Sequence, residues 1–390
     1  MKYTRHLDTH LTDHVRTLKE TLVLLGARQV GKTTILTKLF PRAHYMTVDN
    51  EQIRLILERY DISAYKSLVL QETNILVIDE VHLVTDPGRA AKILFDQMPG
   101  IHLVLTGSSS LTIKNRATES LAGRKVEYHL YPLTVSEYLV QMGIESQLFY
   151  PILRHLGRND PFSRERAYPF DAVAITHTAM QYGLYPAVLS HPKKDVYLRN
   201  LVESVVFRDL LELSLIENRI AARNLLRLLA YQIGSLINVH ELATKLRIDA
   251  KTVRRYLTLF EQSYIIFTVP PYTRSGRKEI GKMPKIYFFD CGLRNAILDN
   301  FQPIDARPDA GALFENLVVS EVMKANYYGS FGYTLHFWRT TDGSEVDLVL
   351  EKEKTLIGLE IKSSARRTNR AFINRYPHAT IATVTPANYL

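Results

Sequence analysis

Two groups of residues in this 390-residue chain have the types and spacing to do chemistry. The first is Gly26-x-x-x-x-Gly31-Lys32-Thr33, in the stretch LLGARQVGKTT. Gly26 and Gly31 permit backbone angles that a Cβ forbids, so the amides around them can close on phosphate oxygens. On this reading Gly26, Ala27, Arg28, Gln29, Val30, Gly31, Lys32, Thr33 and Thr34 form an anion cradle. Lys32 brings a point charge to the β and γ phosphates and Thr33 a hydroxyl to Mg²⁺. The apolar run ILVI leads into Asp79 and Glu80. A carboxylate at the end of a buried strand can hold Mg²⁺ through water, which suits Asp79, and Glu80 is then placed to orient and deprotonate an attacking water. The next apolar run, LVLTG, ends in Ser108, Ser109 and Ser110, with Ser108 the expected polar contact to the nucleotide. ATP and Mg²⁺ are the cofactors this set asks for.

The second group lies in the last hundred residues. Glu315 sits within ALFENLVVSEVM, Asp347 within GSEVDLVLE, and Glu360 and Lys362 within LIGLEIKSS. Strand period puts Glu360 and Lys362 on one face, and a turn at EKEKT folds that strand back so that Asp347 comes almost opposite Glu360. Glu315 reaches them from a packing helix. Carboxylates of this kind hold one or two divalent cations, and a lysine beside them orients water or stabilises a charged phosphorane, as metal-dependent phosphodiester cleavage requires. The metal set expected here is Glu315, Asp347 and Glu360.

The elements that must position these groups follow from periodicity. Strand candidates at 23–25, 44–48, 75–78, 101–105 and 126–130 alternate with helical stretches, which predicts a parallel, doubly wound α/β sheet with the phosphate loop after its first strand. From about 136 to 218 the period is helical, interrupted by a polar loop at 157–169. Residues 220–270 read as three helices followed by strands, with a turn at 247–249. That pattern resembles a winged helix-turn-helix whose last helix would turn Leu257 and Phe260 inward and Lys251, Thr252, Arg254 and Arg255 toward a phosphate backbone.

Composition bounds the rest. The length favours two or three domains. A formal charge of +9 points to a polyanionic partner, DNA being the expected one. The lone cysteine, Cys291, excludes an internal disulfide and fits a reducing compartment. The N-terminal residues MKYTRHLDTH hold no apolar leader core and no apolar run approaches membrane-spanning length, so a cytoplasmic protein without membrane contact is expected.

Together GARQVGKTT, VIDEVHLV, LTGSSSL, SLAGRKVEYHLYPLTVSEYL, GLYPAVL and the C-terminal run resemble the AAA+-type ATPases that carry a C-terminal DUF4143 domain. His82 stands where those sequences usually have Gln. The resemblance implies an ATPase core over 1–135, a helical lid over 136–218, a winged helix over 219–283 and a C-terminal α/β domain of PD-(D/E)xK nuclease type over 284–390. It also implies a homo-oligomer in which Arg124 lies near the nucleotide, as an arginine finger reaching a neighbouring γ phosphate, with Arg116 the competing candidate. Two functions remain open on these residues. One is an ATP-hydrolysing machine acting on DNA through a nuclease-like domain. The other is a nucleotide-dependent switch that recruits protein partners and cleaves nothing.

Overall fold

The computed structural model describes residues 3–69, 74–107, 121–144, 170–204, 216–273, 283–362 and 370–389. The chain divides into two compact units, residues 1–132 with 262–264, and residues 133–261 with 265–390.

In the first unit the elements run α1 (Leu7–Thr17), β1 (Thr21–Leu25), α2 (Lys32–Leu39), β2 (His44–Thr47), α3 (Glu51–Leu57), α4 (Ile62–Leu68), β3 (Ile75–Asp79), α5 (Pro87–Gln97), β4 (His102–Gly107) and β5 (Lys125–His129). The five strands form one sheet in the order β2-β3-β4-β1-β5, every pair parallel. The expected strands are all present, and β4 is inserted between the phosphate-loop strand β1 and the acid-bearing strand β3. Every residue of β1 is buried, the sign of a strand covered on both faces. Helix starts are set by side chains: Asn50, Asp61 and Asp86 each accept a backbone N–H at the opening of α3, α4 and α5.

The second unit begins with α6 (Val135–Gln141), opened by a reciprocal cap between Thr134 and Glu137. It continues through α7 (Ala172–Tyr182), α8 (Lys194–Val202), α9 (Arg219–Tyr231), α10 (Val239–Leu246), α11 (Ala250–Gln262), β6 (Ile266–Val269) and β7 (Lys285–Phe288). After these come α12 (Cys291–Leu298), α13 (Ala310–Tyr328), β8 (Thr334–Arg339), β9 (Glu345–Lys352), β10 (Thr355–Ile361), α14 (Ala371–Arg375) and β11 (Thr380–Val384). Helices α9 to α11 precede the antiparallel pair β6 and β7, and Arg247 in the left-handed region closes α10 before the turn into α11. Val253, Tyr256, Leu259 and Phe260 of α11 are buried while Leu257 is half-buried.

A four-stranded sheet, ordered β11-β10-β9-β8, carries the C-terminal residues. β9 pairs antiparallel with both β8 and β10, and β11 runs parallel to β10. Its core packs Trp338, Val346, Val349 and Leu356 against Phe372 and Tyr376. A buried acid ties α7 to α12: Asp290 accepts the backbone N–H groups of Leu184 and Leu293. A Cβ on Gly183 would overlap the Asp290 carboxyl and one on Gly292 the Tyr182 carbonyl, which gives GLYP and DCGL a packing reason. The polar loop at 157–169, Ser108, Ser109, Ser110 and Arg116 lie outside the described residues. No helix among the described residues is long and apolar enough to cross a membrane.

Candidate functional site

At the C-terminal edge of the first sheet, β1 delivers the loop 26–31 to the start of α2. Gly31 is left-handed at φ 101° and Gln29 at φ 61°, the turns that bring the loop back over the helix N-terminus. The carbonyl of Leu130 packs so close to Gly26 that no Cβ fits. The Lys32 ammonium is buried and donates to the carbonyls of Gly26 at 2.9 Å and Ala27 at 3.1 Å, within the loop it serves. Arg5, in a segment where the sequence suggested no chemistry, donates to the carbonyls of Val30 at 2.9 Å and Tyr131 at 2.6 Å. Its guanidinium therefore clamps the loop from outside.

Asp79 and Glu80 reach the same place from β3. Thr33 Oγ1 donates to Asp79 Oδ2 at 2.7 Å, and Thr106 on β4 bonds the other Asp79 oxygen. Thr106, hidden inside an apolar strand, is the polar partner on the neighbouring strand in this structure. A hydroxyl and a carboxylate converging between the loop and β3 are the oxygen donors that Mg²⁺ takes, so Thr33 and Asp79 fit the ion. Glu80 is left-handed, at φ 56° and ψ 40°, and its N–H points to Asp79 Oδ1 at 3.1 Å and Thr106 Oγ1 at 3.3 Å. Burial alone would raise the proton affinity of Glu80. His82, Lys32 and Arg28 outweigh it and hold the carboxyl at about 2, so it is anionic at neutral pH. His82 Nδ1 lies 3.0 Å from Glu80 Oε2.

Arg124 lies at the other end of the sheet. Its carbonyl accepts the Thr21 N–H at the start of β1, the sheet edge opposite the phosphate loop, and its guanidinium pairs with Asp96 at 3.1 Å. It does not lie near the nucleotide cradle of its own chain, because β5 runs parallel to β1 and Arg124 precedes it.

In the second unit the register brings Asp347 opposite Glu360, continuing the pair Leu348 and Leu359. Asp347 Oδ2 accepts the Ile361 N–H at 2.7 Å, and Lys362 pairs with Glu360. Glu315 approaches from α13, but a cation of the chain itself meets it. Lys285, at the start of β7 and 3% exposed in its side chain, lies 3.1 Å from Glu315 and 2.5 Å from Glu345. Tyr287 donates to Glu315 at 2.7 Å. Burial favours the neutral amine, yet Glu315, Glu345 and Asp347 together raise the proton affinity of Lys285 and keep it charged. Burial and the Glu315 charge push Asp347 up to about 7.

The carboxylates expected to hold a divalent cation stand beside two lysines. Among the described residues no group of three or more histidine, cysteine or carboxylate side chains is placed to hold a metal ion. Lys285 instead pairs with both Glu315 and Glu345, and Lys362 with Glu360.

On α11, Lys251, Arg254 and Arg255 are exposed. Arg255 pairs with Glu217 at 2.9 Å, and Thr252 is held by Asp249 through both its N–H and its hydroxyl, which leaves Lys251 and Arg254 as the outward cations.

Three stretches of the chain match known family models. Residues 18–139 match the family model described as AAA domain, residues 174–303 a domain of unknown function (DUF8612), and residues 310–382 a domain of unknown function (DUF4143). An uncharacterized protein of Mycobacterium tuberculosis is 26% identical over 382 residues, covering 94% of this chain and 77% of that protein. One of Methanocaldococcus jannaschii is 27% identical over 372 residues, covering 89% and 77%. The solved Walker-type ATPase of Pyrococcus abyssi aligns at 14% identity and TM-score 0.48, over 76% of this chain and 96% of that one. By its matched model, its phosphate loop and its parallel sheet, the first unit is AAA-like.

Proposed function

We propose that the protein binds ATP with Mg²⁺ in the first unit and hydrolyses it, and that it uses this cycle while docked on DNA. The observation that carries the ATPase reading is the meeting of Lys32, Thr33, Asp79 and Glu80 at one sheet edge, with Thr33 bonded to Asp79 at 2.7 Å. Lys32 and the loop amides hold the phosphates, and the N-terminus of α2 adds its positive dipole end. Thr33 and Asp79 hold Mg²⁺, which supplies charge neutralisation at the β and γ phosphates. Glu80 orients the attacking water. Its low proton affinity suits orientation and electrostatic guidance more than early proton capture, since base strength follows proton affinity.

DNA docking rests on the outward Lys251 and Arg254 of α11 and on the +9 charge. The unit 219–283 is read as a winged helix because three helices precede an antiparallel pair. Arg124 serves as a finger only across a subunit boundary, which makes a homo-oligomer part of this reading.

For the last domain, the lysine-held acids favour the second reading, a nuclease-like fold that serves as a protein-recruiting platform. Lys285 against Glu315 and Glu345 is the specific observation behind it. The deciding experiment measures phosphate release from ATP with Mg²⁺, and cleavage of plasmid, linear, branched and single-stranded DNA, by the same preparation. ATP turnover without DNA cleavage fits the platform reading, whereas metal-dependent cleavage that needs Asp347 restores the nuclease.

A further inference from the structure

The backbone of Glu80 is fixed on both sides, yet its carboxylate stands at the end of a flexible side chain. Its N–H is held by Asp79 and Thr106, and its left-handed conformation opens the short 3-10 turn Val81–Leu83. That turn carries the His82 ring back over Glu80. The ring is buried, 3% exposed, and its Nδ1 reaches 3.0 Å from Glu80 Oε2. A non-glycine residue in the left-handed region, followed by an inward polar ring in a turn otherwise built on Val81 and Leu83, is an arrangement that packing alone does not require.

We propose that His82 is a positioning residue for Glu80: it anchors Oε2 and so leaves Oε1 aimed at the water that attacks the γ phosphate. A carboxylate free to rotate spends most of its time out of line with the water, and displacement by an ångström is enough to lose about a hundredfold in rate. The inference rests on the proposal that Glu80 acts on that water.

The test compares wild type with His82→Ala, His82→Asn and His82→Phe, measuring kcat and KM for ATP, binding of a fluorescent ATP analogue and thermal unfolding. Asn places its amide nitrogen the same number of bonds from the backbone as His Nδ1, so it can restore the contact. Phe keeps the buried volume and has no donor. We expect Ala and Phe to lower kcat about 10- to 100-fold at unchanged KM and unchanged analogue binding, and Asn to stay within about threefold of wild type. Full kcat in the Phe variant would reduce His82 to packing and overturn the proposal, as would a folded Ala variant that turns over normally or one that loses binding and kcat together. Wild-type protein that binds the analogue but releases no phosphate would instead sink the hydrolysis reading, and this inference with it.

Discussion

Thr33 and Asp79 are 46 residues apart in sequence, on α2 and at the end of β3, and their side chains meet at 2.7 Å. The meeting is a consequence of sheet order. β4 pairs with β1 on one side and β3 on the other, so the C-terminal ends of all three strands share one edge. Replacing either partner should weaken nucleotide binding in a metal-dependent way. Thr33→Ala and Asp79→Asn are expected to lose about tenfold or more of ATP affinity in Mg²⁺ and much less in chelator, measured by titration of a fluorescent analogue. Equal losses in both conditions would assign the pair to folding alone.

Arg124 sits at the far edge of the sheet from its own cradle, so direct contact with a γ phosphate requires the cradle of another chain. Arg124→Ala is expected to depress hydrolysis without depressing ATP affinity. Mixing it with Glu80→Gln should return some activity, because mixed assemblies join one intact cradle to one intact arginine. A protein that stays monomeric with ATP at micromolar concentration and hydrolyses normally excludes this role.

Lys285 is buried beside two partly buried carboxylates, and removing it leaves their charge without its cation. Lys285→Ala is expected to destabilise the second unit by about 3–5 kcal/mol in chemical denaturation. Asp347 adds a pH dependence. Its proton is held up to about 7 in the folded protein and released near 4 in the unfolded chain. Between those values the native state binds the extra proton, so stability falls as pH rises through this window. Asp347→Asn should flatten the slope, and an unchanged slope would show that other groups set it.

For DNA, the outward cations of α11 supply the check. Lys251→Ala with Arg254→Ala is expected to weaken duplex binding and to reduce the logarithmic salt slope by about one per lost phosphate contact. Binding that is absent, or indifferent to salt in the wild type, would turn the reading toward the protein-recruiting platform.

What the sequence disclosed and what it hid have a common cause. Lys32 and Thr33 share one strand-loop-helix unit, and Asp79 and Glu80 close a continuous apolar run, so each half is local and readable. The hairpin placing Asp347 opposite Glu360 is equally local, with only Glu353 and Lys354 between its paired strands. Lys285 was not readable. It follows a basic stretch and is 30 residues from Glu315 and 60 from Glu345, and only tertiary packing brings them together. Arg5 and Thr106 escaped for related reasons. Arg5 precedes the first helix with no motif around it, and Thr106 is one hydroxyl in a buried strand, next to the more conspicuous serine run that begins at Ser108. For Arg124, resemblance carries residue identity but not which sheet edge a residue occupies.

The central claim is that Lys32 binds phosphates in the ground state whereas Glu80 acts on the attacking water. Single-turnover hydrolysis and equilibrium binding of ATP, measured on wild type, Lys32→Ala and Glu80→Gln, separate the two roles. Lys32→Ala is expected to lose tight binding, and Glu80→Gln to bind ATP within about threefold of wild type while hydrolysis falls at least about a hundredfold. Glu80→Gln hydrolysing at the wild-type rate, or Lys32→Ala binding ATP with undiminished affinity, would contradict it.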